Sequence, residues 1–418
     1  MSLHTSSPDL DNALVKPANW ANEQSIHDQF HWLRENDPVR WLEPDGFDGF
    51  WSITKYEDIK AIEGNKKLFI NDPRPVLGPK GMQEMVEMMT GRKHLVRSLV
   101  QMDDPDHMKY RTLTQGWFMG TNLRKLQARV NELAELYVDR LVALGGECDF
   151  VKDIAIWYPL RVIMEILGVP EEDEALMLKL TQELFGSSDP DNQRSFAPED
   201  FLQVVEDFDT YFDQLTAARR AQPTDDVASL IANAEFDGQP MPRLDANGYY
   251  TIIATAGHDT TSASTAGGLL ALIENPSQMR ALEDNCDELL PTAIDEMIRW
   301  VSPVRHFMRT ATEDYELRGK TIRKGESVIL WYHSANRDKD VFATPDDFRV
   351  DRKGPKQIAF GYGAHVCLGQ HLARMEITAL YKQMLARITD IQLAGTPQYT
   401  QSTFVGGLKS LPIRYRVK

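Results

Sequence analysis

The 418-residue sequence has little cysteine, no long apolar run and no excess of positive charge. Its three cysteines, Cys148, Cys286 and Cys367, are odd in number and far apart, which argues against a disulfide framework. The opening stretch MSLHTSSPDLDNALVKPANW has no apolar core that could serve as a signal or anchor. No later stretch reaches the roughly 20 apolar residues that span a bilayer. Lys and Arg number 46 against 62 Asp and Glu, for a formal net charge of -16. That balance disfavours general nucleic-acid binding, which needs cations to neutralise phosphates, and charge-driven docking on anionic lipid. Its main role reads as solubility. A soluble, cytoplasmic chain is expected, with no nucleic-acid or membrane partner.

What is present is mostly helical patterning. No internal repeat or long linker divides the chain. Residues 1–24 are polar and read as a flexible N-terminal segment, and 25–418 as a single domain. A hairpin is expected over 39–54 around Pro44, Asp45 and Gly46, followed by a helix at about 55–63. Residues 71–103, rich in proline, glycine and methionine, read as a mobile region with one short amphipathic helix. Apolar positions at three- and four-residue spacing predict helices over 106–118, 121–144, 157–168, 171–186 and 198–221. The longest candidate runs over 245–274. A further helix is expected from Pro291 to Val301, opened by the proline, and one over Gln370 to Arg387. Short strands are expected around 315–330 and 391–417. The fold class is mainly α with small β-sheets.

The most informative segment is Phe360-Gly361-Tyr362-Gly363-Ala364-His365-Val366-Cys367-Leu368-Gly369. Three glycines in ten residues suit a tight turn and close approach by a flat ligand. Cys367 falls where this loop enters a helix, so backbone N–H groups and the helix dipole favour a thiolate. Taken alone it reads equally well as a buried structural cysteine. A zinc site from His365, Cys367 and His371 is disfavoured, because no Cys-x-x-Cys pair supplies further ligands.

This segment resembles the haem-ligand loop of the cytochrome P-450 family, matching at Phe360, Gly361, Gly363, His365, Cys367 and Gly369. Other stretches match in the family's order: Ala256-Gly257-His258-Asp259-Thr260-Thr261, Glu296-Met297-Ile298-Arg299, His107-Met108-Lys109-Tyr110-Arg111, and Phe307-Met308-Arg309-Thr310-Ala311. The resemblance runs from about residue 25 to the end and is strongest to the bacterial terpineol-hydroxylase type. It implies a haem b (iron protoporphyrin IX) held between the long central helix and the cysteine loop, with Cys367 as the iron ligand. Cofactor contacts are expected from His107, Arg111, Gly257, Arg309, Phe360, His365 and Gly369. The resemblance gives Asp259 and Thr260 the catalytic roles, Asp259 gating protons and Thr260 hydrogen-bonding during oxygen activation. Gly257 and the nearby threonines are expected to widen one helical turn. Glu296, Arg299 and Arg352 are expected as a buried structural group.

The implied activity is monooxygenation: one atom of O2 enters a C–H bond and the other leaves as water. Expected pocket residues are Met82, Met85, Ile253, Ala256, Val304, Phe307, Phe404 and Val405, mainly apolar, which suits a small lipophilic substrate. A monoterpenoid or alkyl-aromatic is the first choice by analogy. Arg305 and His306 stand out as polar neighbours that could face substrate, a haem propionate or solvent, with a non-substrate role favoured. No flavin or nicotinamide domain is evident, so electrons are expected from a 2Fe-2S ferredoxin and its reductase. A basic patch for it is sought in Lys109, Arg124, Lys125, Arg374 and 352–356. A monomer is expected. Peroxide-driven oxidation and a haem-based sensor or carrier are the competing readings. The Asp259-Thr260 pair disfavours both.

Overall fold

A computed structural model describes residues 8–195 and 198–418. Its helices are α1 (Pro8–Val15), α2 (Glu23–Asn36), α3 (Tyr56–Glu63), α4 (Met82–Thr90), α5 (Asp106–Gln115), α6 (Gly120–Ala143), α7 (Trp157–Leu167), α8 (Glu174–Phe185), α9 (Pro198–Ala221), α10 (Val227–Ala232), α11 (Arg243–Glu274), α12 (Pro276–Asp284), α13 (Cys286–Val301), α14 (Tyr332–Ala335) and α15 (Gln370–Arg387). The main sheet orders its strands Val39–Leu42, Phe50–Ile53, Ser327–Trp331, His306–Ala311 and Phe69–Ile70. The pairing of Phe50–Ile53 with Ser327–Trp331 is parallel. A smaller sheet joins Ile388–Leu393, Pro412–Val417 and Glu147–Asp149. Among the described residues no helix is long and apolar enough to cross a membrane.

Helix α11 is the axis of the molecule. Its 32 residues span about 48 Å, and it packs against α7, α8, α9 and α13. Buried on most sides, it is apolar or small nearly all round. Its threonines do not break it. The hydroxyls of Thr255, Thr260 and Thr265 donate to the carbonyls of Thr251, Ala256 and Thr261, four residues back, at 2.7–2.8 Å. The helix is therefore continuous, and the widened turn expected at Gly257 is absent. Glycine is needed there for packing instead: a Cβ would lie 2.7 Å from Ile163 Cγ1 of α7.

Two other expectations are corrected. Within the segment read as flexible, residues 10–20 pack through Leu10, Leu14, Val15 and Trp20; residues 1–7 lie outside the described residues. Leu14 and Trp20 are buried, and Trp20 stacks on Trp331 of the main sheet at 5.7 Å. The polar residues around them mask this apolar edge. Helix α13 begins at Cys286, so Pro291 lies inside it rather than at its first position. The Asn285 carbonyl accepts from Glu288 and Leu289, and Leu290 is buried in the core, so the earlier turn forms despite the proline. Helix α12, which the sequence pattern does not separate, opens on Pro276.

Candidate active site

The cysteine loop lies between the end of α3 and the start of α15. Gly361 and Gly363 both hold φ near +70°, a conformation that favours glycine. At Gly363 a Cβ would also fall 2.4 Å from the Glu63 carbonyl oxygen, so the loop can pass the end of α3 only without a side chain. The Cys367 N–H donates to the Phe360 carbonyl at 2.8 Å and closes the loop. Burial pushes the Cys367 thiol up, while the Gly369 N–H, the Arg111 and Arg374 charges and the Gln370 N–H act to lower it. Those groups are aligned to stabilise negative charge on sulfur. Phe360 lies beneath the Arg374 guanidinium, 4.6 Å from ring centre to Cζ.

Beside the loop is a group of cationic side chains. Arg111 donates to the Val366 carbonyl at 2.7 Å. His107 and His365 lie with ring centres 3.8 Å apart. His107 is buried, yet neither ring nitrogen has a hydrogen-bond partner among the described residues. Burial and the Arg111 charge depress its pKa to about 4. Burial, with Arg309 and His107 nearby, takes His365 down to about 2. A buried His107 and a half-buried His365, both held neutral beside arginines, make a site short of an anion. The carboxylates of a haem would supply it, and the glycine turn and the donor-ringed sulfur suit the rest of that group. Sequence reasoning missed two members. Asn71 Nδ2 lies 2.7 Å from His365 Nε2, and Glu63 pairs with Arg309 at 3.1 Å. Glu63 also accepts from the Tyr332 hydroxyl at 2.6 Å, and burial pushes its carboxyl up. Arg309 thus already has a carboxylate within the chain.

On α11, Ala256 is exposed although it lies mid-way along a largely buried helix. Thr260, one turn on, donates to its carbonyl. Asp259 faces differently. It lines a cavity of about 420 Å³ with Gln182, Asn192, Ser262, Val405 and Lys409. One carboxylate oxygen lies 3.2 Å from His258 Nδ1; the other is buried without a partner among the described residues.

Of the expected pocket residues, the structure brings four together. Val304 bridges Val405, and the Phe404 ring lies 5.5 Å from Phe307. Phe185 of α8, which sequence reasoning missed, contacts Phe404 at 5.8 Å. Ile253 is packed into the main core. Met82 and Met85 lie on α4, which contributes no buried side chain. Arg305 is closed off from solvent: it is buried over Trp20 at 4.3 Å and donates to the Ser402 carbonyl. Glu296 accepts from Arg299 at 2.6 Å and Arg352 at 2.9 Å, deep inside. Arg352 is therefore committed to this group and removed from the expected basic patch. In that patch Lys109 pairs with Asp237 and Arg374 with Asp295.

The model of the cytochrome P-450 family matches residues 75–389. The chain is 41% identical over 416 residues to cytochrome P-450-terp of a Pseudomonas species, covering 97% of each protein. It is 33% identical over 408 residues to linalool 8-monooxygenase of Pseudomonas putida, covering 97% of this chain and 98% of that one. The solved structure of CYP108D1 from Novosphingobium aromaticivorans superposes with a TM-score of 0.90 at 42% identity, covering 99% of each chain. The chain belongs to the cytochrome P-450 family, and it is a haem-thiolate monooxygenase.

Proposed function

We propose that this monooxygenase hydroxylates a small lipophilic substrate, a monoterpenoid alcohol first and an alkyl-aromatic second, with two electrons delivered by a 2Fe-2S ferredoxin and its reductase. The observation that carries the substrate class is the apolar wall of Val304, Phe307, Phe404 and Val405, taken with the exposed Ala256 on α11. The relatives named for terpenoid chemistry support the same class. A wall of this composition expels water from a hydrocarbon and offers few groups for charged substrates.

When bound, haem b supplies the oxidising chemistry: O2, two electrons and two protons give one inserted oxygen atom and one water. The chain's own residues hold and feed it. Cys367 would present its sulfur to the iron, with the Gly369 and Gln370 N–H groups and the Arg111 and Arg374 charges offsetting the negative charge. His107, Arg111, Arg309 and His365 would hold the propionates, and the unpartnered His107 ring would gain an acceptor for its N–H. Thr260 donates its hydroxyl proton to the Ala256 carbonyl, which leaves the oxygen's lone pairs free to accept. Asp259 would take protons from the side of its cavity that carries Gln182, Asn192 and Lys409 and hand them to the Thr260 side of α11; adjacent helix positions about 100° apart let the two residues face different spaces.

Titration of the haem-loaded protein with linalool and terpineol tests the reading, followed by turnover with a bacterial ferredoxin and reductase. Binding at micromolar concentrations and a hydroxylated terpenoid product are expected. Turnover of neither alcohol, with fatty acids oxidised instead, would overturn the substrate class. Peroxide alone matching the ferredoxin system would overturn the electron source.

A further inference from the structure

His306 has no place in the reaction so far described, yet it is fully buried and fully bonded. Its Nε2 lies 3.1 Å from the backbone N of Leu77, and its Nδ1 lies 2.8 Å from the Thr403 carbonyl oxygen. The partners fix the chemistry of the ring. An amide N–H can only donate and a carbonyl can only accept, so Nε2 carries the lone pair and Nδ1 the proton. Burial depresses the pKa of His306 to about 3, against the Thr403 bond, and this favours the neutral ring near pH 7.

The two bonds reach segments 229 and 97 residues away in sequence. Leu77 lies in the stretch that leads to the exposed, methionine-rich α4. Thr403 adjoins Phe404, the pocket wall. The strand that carries His306 already touches both: Met308 N donates to the Pro75 carbonyl and Arg305 N to the Phe404 carbonyl. The Phe404 ring rests 5.6 Å from the imidazole on one side and 5.5 Å from Phe307 on the other. Side chains alternate along a strand, so Phe307 faces the pocket while His306 works from behind the wall.

We infer that His306 is a specificity-determining positioning residue, a neutral imidazole clamp that sets the place of Phe404 and couples it to the segment entering α4. The inference rests on the reading of Phe404 as a pocket wall. An ammonium group supplies no acceptor, and a hydroxyl carries donor and acceptor on one atom, whereas Leu77 N and Thr403 O are met by two separate ring nitrogens. The clamp therefore requires one donor and one acceptor, held by a rigid ring.

The test uses the haem-loaded enzyme and two azole probes that need no knowledge of the substrate. 4-Phenylimidazole carries a phenyl group that the pocket must accommodate; imidazole lacks it. His306→Phe keeps a ring and removes both bonds. Its expected effects are amide exchange about tenfold faster in 75–80 and in 402–406, and 4-phenylimidazole binding weaker by about tenfold, with imidazole binding unchanged. His306→Asn retains a donor in the Nδ1 position and should restore protection in 402–406 alone. His306→Gln places its carbonyl oxygen near the Nε2 position and should restore 75–80 alone. A purely structural residue would lose or regain both segments together and would weaken both azoles alike. That result, or unchanged exchange in His306→Phe, overturns the inference. If His306→Phe fails to fold, the Asn and Gln variants decide by the same criterion. Failure of linalool or terpineol to bind leaves these readouts standing and bears only on the substrate class.

Discussion

Replacing Glu296 tests the architecture that delivers the cysteine loop. Its carboxylate is fully enclosed and accepts four N–H groups: Arg299 Nε at 2.6 Å and Nη2 at 2.8 Å, Arg349 N at 2.9 Å and Arg352 Nε at 2.9 Å. The two guanidinium groups also gather carbonyls of the run that leads toward Cys367. Arg299 donates to Asn336 and Pro345, and Arg352 to Ala343, Thr344 and Asp347. Removing one member of a buried ionic group costs about 3–5 kcal/mol, because the partners stay buried and uncompensated. For Glu296→Ala we expect that full loss, a large share of the roughly 5–15 kcal/mol that holds an ordinary domain folded. Glu296→Gln keeps one acceptor and should cost about 2–3 kcal/mol. Burial raises the Glu296 pKa, but the Arg299 bond and charge, the Arg349 N–H and Arg352 outweigh it and leave the value lowered. A lowered folded value means its contribution is complete above the ordinary 4.5 and is lost as pH falls through the folded value. The gap between wild type and Glu296→Gln should therefore close in acid. Urea unfolding followed by circular dichroism measures the cost. A Glu296→Ala variant within about 1 kcal/mol of wild type at pH 7 would refute the reasoning.

Gly257→Ala should cost about 1–3 kcal/mol by thermal unfolding, since the new methyl meets Ile163. Shortening Ile163 to Val should recover part of it, and strictly additive losses would mean the contact is not the cause. His107→Phe should speed haem loss to apomyoglobin about tenfold while leaving the apoprotein no less stable, because the ring nitrogens break no bond within the described residues. The wild-type apoprotein should lose stability between pH 6.5 and about 4, where the unfolded state takes up a proton that native His107 refuses; His107→Phe should flatten that slope. Thr260→Ala should keep its haem but make about tenfold less product per O2 consumed, with peroxide released; unchanged coupling would remove Thr260 from the proton path.

What can be read from the sequence is local. The glycine spacing around Cys367, the run of α11 and the one-turn separation of His107 and Arg111 each follow from neighbours in the chain. Glu296 and Arg299, three residues apart in one helical pattern, likewise share a face by spacing alone. What cannot be read depends on distant partners. The Glu63 carboxylate that pairs with Arg309 is 246 residues away, and Asn71 is 294 from His365. Sequence alone leaves Arg305 and His306 between substrate, propionate and solvent, because Trp20, Leu77 and Ser402 meet them only in the fold. Gly257 misleads for a similar reason: a glycine among threonines resembles a weak point, whereas Ile163 packs directly against it. Residues 8–24 mislead because a few apolar side chains, chiefly Leu14 and Trp20, anchor a segment whose average composition is polar.

Ligation of haem iron by the Cys367 thiolate underlies the proposed chemistry. The absorption spectrum of the reduced, carbon-monoxide-bound protein tests it most directly, recorded for wild type and for Cys367→His. The wild type should show the strongly red-shifted main band that thiolate ligation produces. The histidine variant should bind haem but lose that shift. A wild type without the band, or a variant that retains it, would contradict the account.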